Sequence, residues 1–246
     1  MKAKQQIFAI FLGLLLIAPA SAFAQEGEVY VSLAGGASIP LLDYAAVDFS
    51  DPSSGFARTG GNFAINFGYR LNQYLSVTGL LSGSVNRFDY VELQNWLTDY
   101  YKESLPDTRW LVETKSWGLG GLMAGITGSL PLSPNKIFLD GRLLGGFTYV
   151  YSPAMSVTGL EDNEEDLILY IDQYSAISWA IDLGAGFRYH RSRNQSFTLY
   201  ADYLLANPQY NNVSIQDNDP ELQRETSFTQ RVSAVNITLG IGYIVN

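Results

Sequence analysis

Ile177-Ser178-Trp179-Ala180-Ile181-Asp182-Leu183-Gly184-Ala185-Gly186-Phe187-Arg188-Tyr189-His190 alternates without a break. Ile177, Trp179, Ile181, Leu183, Ala185, Phe187 and Tyr189 fall on one face. Ser178, Ala180, Asp182, Gly184, Gly186, Arg188 and His190 fall on the other. A period of two belongs to an extended strand, whose successive side chains point to opposite sides. Trp179 and Tyr189 share the apolar face, ten residues apart. At ~3.4 Å per residue and a tilt near 40° they stand about 26 Å apart along the normal of a sheet wall, close to the height of a bilayer's apolar band.

The same period runs through most of the chain. Eight segments carry it: roughly 28–39, 60–71, 75–89, 115–131, 136–151, 167–190, 196–207 and 231–245. In the second, Phe63, Ile65, Phe67, Tyr69 and Leu71 oppose Ala64, Asn66, Gly68 and Arg70. In the eighth, Val235, Ile237, Leu239, Ile241 and Tyr243 oppose Asn236, Thr238, Gly240 and Gly242. The fourth is the least regular, because Trp117, Leu119 and Met123 share one parity while Leu122, Ala124 and Ile126 share the other; a bulge is expected there. Connections alternate between long polar stretches after the odd-numbered segments and tight ones after segments 2, 4 and 6, at Asn72-Gln73, Leu132–Asn135 and Arg191–Gln195. These features predict an all-β chain: an eight-stranded antiparallel up-and-down transmembrane β-barrel with short periplasmic turns and long extracellular loops. A soluble sandwich would explain the aromatic strands, but not the loop alternation together with the glycine-rich inner face.

The ends and the composition agree. Lys2 and Lys4, the apolar run Ile7–Ile17 and the small-x-small triplet Ala22-Phe23-Ala24 have the order of an export signal, so residues 1–24 are expected to be a cleaved signal peptide and 25–246 the barrel domain. The apolar core is shorter than the ~17 to 25 residues of a spanning helix. Removing the two lysines leaves 13 basic against 24 acidic residues, which argues against a nucleic-acid partner. No cysteine is present, which excludes a disulfide scaffold and a thiolate metal site. Charged residues make up 16%, below the roughly 25% of soluble domains.

Val31-Ser32-Leu33-Ala34-Gly35-Gly36-Ala37-Ser38-Ile39-Pro40-Leu41-Leu42-Asp43-Tyr44 is similar to the GG-x-S-x-P-x-x-D-aromatic opening of single-domain outer-membrane barrels of the OmpA-transmembrane, OmpX and OmpW type, especially the Bacteroidetes-type variants. Gly240-Ile241-Gly242-Tyr243 resembles their closing strand, which the barrel assembly machinery recognises. The chain ends Ile244-Val245-Asn246 and not in an aromatic residue, so that correspondence is partial. The resemblance implies a barrel without a peptidoglycan-binding domain, in the outer membrane of a Gram-negative-type bacterium, with lipid and lipopolysaccharide around it.

An eight-stranded lumen has room only for side chains. The expected inward set is Asn66, Arg70, Asp140, Arg142, Asp182, Arg188 and Asp202, whose opposite charges should pair, since lone charges at membrane depth are costly. Tyr69, Phe187, Tyr189, Phe197 and Tyr243 are expected to form the periplasmic aromatic girdle, and Trp117, Tyr149, Tyr151 and Trp179 the outer one. His190, the single histidine, falls beside a periplasmic turn among Arg188, Arg191 and Arg193, away from where lipid-trimming barrel enzymes place theirs; no catalytic role is expected. In Val91–Leu105 apolar residues recur at 93, 96, 97, 100 or 101, and 105, predicting a short amphipathic helix before Pro106. Such a helix would cap the barrel mouth by packing on the protein's own rim, lie on the outer membrane surface, or present Trp96, Tyr100 and Tyr101 to a partner. Glu161, Asp162, Glu164, Glu165 and Asp166 lack the D-x-D-x-D-G order of a calcium loop and predict a solvated hairpin tip, with segments 5 and 6 continuing above the membrane. No cofactor or metal site is expected. The leading functional expectation is a structural or surface-interaction barrel with a surface protein among its expected partners; the alternatives are a narrow porin-like channel and, last, a lipid-modifying enzyme.

Overall fold

The computed structural model describes residues 27–51, 53–133, 136–161, 164–217 and 224–245. The expected signal segment lies outside them. Eight long strands close on themselves: β1 (Glu28–Pro40), β2 (Gly60–Arg70), β3 (Leu75–Asn86), then β5 (Trp117–Ser133), β6 (Ile137–Tyr151), β9 (Ser175–His190), β10 (Gln195–Ala206) and β13 (Val232–Val245). Each pairs antiparallel with the next, and β13 pairs back onto β1, with Leu33 opposite both Ile241 and Ile65. Closure satisfies the ladder hydrogen bonds of every barrel strand, which an open edge in lipid could not. Gly36 lets β1 and β13 meet, since a Cβ there would stand 1.8 Å from the Ile237 carbonyl oxygen.

The alternation sorts side chains as the period requires. Trp179 is 72% and Leu239 68% exposed on the outer wall, with Leu33, Phe63, Ile126, Leu143 and Ile177 also exposed there. In β5 the inward and outward rows alternate from Trp117 to Leu130, and the one register shift falls between Pro131 and Ser133. The bulge expected within the irregular stretch is absent. Large apolar residues face inward there because the upper lumen is largely apolar.

Five further strands form a second sheet at the long-loop end, in the order β12 (Arg224–Thr229), β11 (Gln209–Asp217), β8 (Glu164–Ile171), β7 (Met155–Glu161) and β4 (Arg109–Thr114). Segments 5 and 6 therefore do not run straight on. Pro153 has no N–H for the ladder, so β6 stops at Tyr151, and β9 begins only at Ser175. The Ser152 N–H donates to the Tyr174 carbonyl at 2.8 Å across the break, and the β7–β8 hairpin turns aside into the second sheet. Segment 3 likewise ends at Asn86. Asp89 caps helix α1 (Tyr90–Tyr101), its carboxylate accepting from the Glu92 N–H. No helix among the described residues is long and apolar enough to cross a membrane, a fact without bearing on strands.

Candidate functional site

The lumen is filled in layers. At the short-turn end Arg70 pairs with Glu28, and Arg188 lies over the Phe138 ring, 4.9 Å from its centroid. One step higher, Arg188 Nη2 donates to Asp140 Oδ1 at 3.0 Å and to Ser129 Oγ at 2.9 Å, while the Tyr200 hydroxyl donates to Asp140 Oδ2 at 2.7 Å. Above that, Arg142 Nε donates to Asp202 Oδ1 at 2.7 Å and Arg142 Nη1 to Asn66 Oδ1 at 2.6 Å; Asn66 in turn donates to Ser32 Oγ. Asp182 Oδ1 stands 3.7 Å from Arg142 Nε and has no hydrogen-bond partner. A cavity of about 30 Å³ lies below Arg142, lined by Thr78, Thr127 and Thr198 among others. Arg142 closes its top. Arg142, Asp202 and Asp182 also bound a separate cavity of about 10 Å³.

The upper lumen is largely apolar. Ala64, Leu80, Met123, Leu144, Ala180 and Leu204 fill it, followed by Trp117, Val150, Ala176, Ala206 and Val232. Tyr44 descends from the first outer connection to seal the mouth. It is fully buried, edge-on to Trp117 with 5.4 Å between ring centroids, and its hydroxyl reaches Asn86 Oδ1 at 3.5 Å. Burial pushes the Tyr44 phenol well above its ordinary range, and the neighbouring Tyr210 adds to the shift. The segment is pinned from both sides. Leu41 N–H donates to the Ser233 carbonyl, the Ser233 hydroxyl to the Leu41 carbonyl, and the Trp117 indole to the Gly55 carbonyl at 2.8 Å. Leu42 and Phe56, at φ 53° and 50°, are non-glycine residues in the left-handed region, so backbone strain of about 1–2 kcal/mol each is spent where the chain folds over the mouth.

The structure thus brings six of the expected inward residues, Asn66, Asp140, Arg142, Asp182, Arg188 and Asp202, into the buried lumen, with Arg70 at its foot. Tyr149, Tyr151, Trp179, Phe187, Tyr189, Phe197 and Tyr243 face outward and exposed, and Tyr69 is partly covered on the same outer face. Trp117 does not belong to the outer girdle. It is 4% exposed and points inward, since the unbroken alternation of β5 gives it the parity of Met123 and Thr127. His190 packs edge-on against Phe138 at 5.2 Å, and its Nε2 has no hydrogen-bond partner. Tyr200, Ser129, Asn86 and Tyr44 were not among the expected residues. Tyr200 has the parity of Asp202, which was the available signal. Tyr44 is placed by a turn, on which parity says nothing.

Outside, Leu93 and Leu97 bury against Trp110 and Val112 of β4 and Val157 of β7, so α1 lies on the second sheet. Trp96 stacks on Tyr100 at 4.7 Å, and Tyr101 tilts against Trp110 at 5.1 Å. Tyr100 stays open to solvent. Arg58 pairs with Asp89 and ties the helix start to the first outer connection. The expected acidic hairpin tip falls partly outside the described residues, and no group of three or more His, Cys, Asp or Glu able to hold a metal occurs among the described ones.

A closed barrel with an apolar outer wall and a packed polar lumen defines an integral membrane β-barrel. The family model described as "outer membrane protein beta-barrel domain" matches residues 9–246, and the chain belongs to that family, whose place is the outer membrane. Among solved structures, Neisserial surface protein A is similar at 10% identity (TM-score 0.43), and the match covers 90% of this chain and 100% of that one. Ail of Yersinia pestis is similar at 17% (TM-score 0.42), with the same coverage. Escherichia coli outer membrane protein W is similar at 12% (TM-score 0.40), covering 91% and 100%. No curated protein matches the sequence.

Proposed function

We propose that this protein is a closed outer-membrane barrel whose working surface is the extracellular sheet and its helix. The carrying observation is the filled lumen: the Arg142–Asp202–Asn66 layer and the Tyr44–Trp117 plug follow one another along the axis. A path for ions or small solutes would have to break a buried ion pair and lift a pinned aromatic turn. Above the plug stands a five-stranded sheet carrying α1, where Tyr100 is exposed and stacks on the half-buried Trp96, which is architecture beyond what spanning requires. Its partner is read as a surface protein or the lipopolysaccharide around the rim, and assembly as the task of the barrel machinery. Lipid modification is the least favoured role, because the single histidine lies at the short-turn end against Phe138, far along the chain's wall from the outer leaflet.

Cells displaying the full protein should adhere to a ligand-coated or cell surface more than cells displaying a barrel whose β7–β8 hairpin is replaced by a short Gly-Ser turn. A heat-shift gel shows whether both barrels are folded. Equal adhesion by two folded, equally displayed proteins would remove the case for the sheet as working surface.

A further inference from the structure

The short turns after β5 and β9 carry charge of one sign. Lys136 closes the first, Arg191 and Arg193 stand in the second, and neither 132–136 nor 191–195 contains an acidic residue. The turns are neighbours, since the His190 N–H donates to the Lys136 carbonyl at 2.8 Å. All three basic residues are exposed, and none forms an ion pair among the described residues. The second turn does not need its arginine side chains to hold its shape. The N–H groups of Arg191 and Ser192 both donate to the Gln195 carbonyl and close it.

Directly above these turns the lipid-facing wall is hollowed. Gly128, Gly141 and Ala185 lie side by side in the β5–β6–β9 ladder and face outward. Leu130 and Leu139 below them and Tyr74 beside them wall a groove of about 450 Å³. A Cβ on Gly141 would meet nothing within 4 Å, so the floor is open space. Gly141 is five residues above Lys136. At ~3.4 Å per residue and a tilt near 40°, that is about 13 Å along the membrane normal. The groove therefore reaches from the short-turn side to about the middle of the ~25 Å apolar band, and so belongs to the inner leaflet.

An apolar groove over a basic rim fits one kind of molecule that the surroundings supply. An acyl chain fills the groove while its phosphate meets the cations at the membrane surface. A free anion would use the rim alone and leave the groove empty. At the foot of β1 and β2 the cation is already matched, since Arg70 pairs with Glu28. We propose that the wall of β5, β6 and β9 binds one anionic phospholipid of the inner leaflet. Its phosphate sits on Lys136, Arg191 and Arg193, and an acyl chain lies in the groove above them. The site is independent of any role of the extracellular sheet.

The test is native mass spectrometry of the refolded mature protein, released from micelles holding equal amounts of phosphatidylglycerol and phosphatidylethanolamine with the same chains. The first phosphatidylglycerol should bind tighter by about fivefold for each basic side chain that it engages. Lys136→Gln, Arg191→Gln and Arg193→Gln together should bring the ratio of the two lipids to one. Gly141→Leu should weaken binding by about fourfold for each methylene it keeps out of the groove. Gly35→Leu is the control: it fills a separate groove of the wall, where a Cβ comes no nearer than 3.8 Å to the facing backbone, and should change nothing. A heat-shift gel reports the folding of each variant; if Gly141→Leu does not fold, Ala185→Leu takes its place with the same expectation. Equal binding of the two lipids, a preference that survives the three glutamines, or equal losses from Gly141→Leu and Gly35→Leu would each overturn the proposal. So would displacement of the bound lipid by soluble glycerol phosphate, which would reduce the site to its cations.

Discussion

Gly184 sits opposite Asp202 in the β9–β10 ladder, and a Cβ placed on it would lie 1.9 Å from Asp202 Oδ1 and 2.8 Å from Arg142 Cγ. The ion pair at the centre of the lumen exists because that wall position carries no side chain. Gly184→Ala should therefore lower unfolding stability by about 1–3 kcal/mol, the range for forcing extra atoms into a packed interior. Gly141→Ala, where a Cβ meets nothing within 4 Å, is the matched control and should leave the urea midpoint in place. Equal midpoints for the two variants would show that the pair is looser than its geometry. At this scale the sequence exposed much of the lumen, since parity alone puts Asp140, Arg142, Asp182 and Asp202 inside. It misled at Trp117, where an aromatic near a strand end reads as girdle by type. The inward parity that Trp117 shares with Leu119 and Met123 is explained only by the apolar plug above them.

Helix α1 shows how the extracellular elements are held. Its start depends on Asp89, which caps the Glu92 N–H, is nearly buried, and pairs with Arg58. Asp89→Ala should weaken the helix by about 1 kcal/mol. Because α1 packs on β4 and β7 and not on the barrel wall, the loss should stay local. Amide exchange should accelerate in residues 90–101 and remain unchanged in β1, β2 and β3. Faster exchange spreading into the barrel would place the helix within the barrel's cooperative unit. The eight barrel strands and this helix were legible, because a period of two sustained over ten residues and an i, i+4 leucine pair are strong signals. The second sheet was not. β4 offers only six residues of alternation, and β11 breaks register between Tyr210 and Val213, with Asn212 at φ 56° interrupting the period. Pro153, which turns the β7–β8 hairpin aside, reads in sequence only as a local interruption.

Across the whole molecule, the chemistry is divided by height. Lys136, Arg191 and Arg193 lie at the short-turn end, an apolar wall meets lipid, and most of the acidic residues gather with the sheet and helix outside. Between the two ends the axis is blocked twice, once by a buried charge layer and once by the Tyr44–Trp117 plug, and the cavities that remain, about 30 Å³ and about 10 Å³, have room for about two waters and about one. The most direct measurement of this account is single-channel conductance of the refolded, signal-free protein in a planar bilayer, with a heat-shift gel as the folding control. The closed barrel predicts a flat baseline at all holding potentials. Discrete current steps from folded protein, altered in size or selectivity by Asp202→Asn, would show that the lumen conducts and contradict the account.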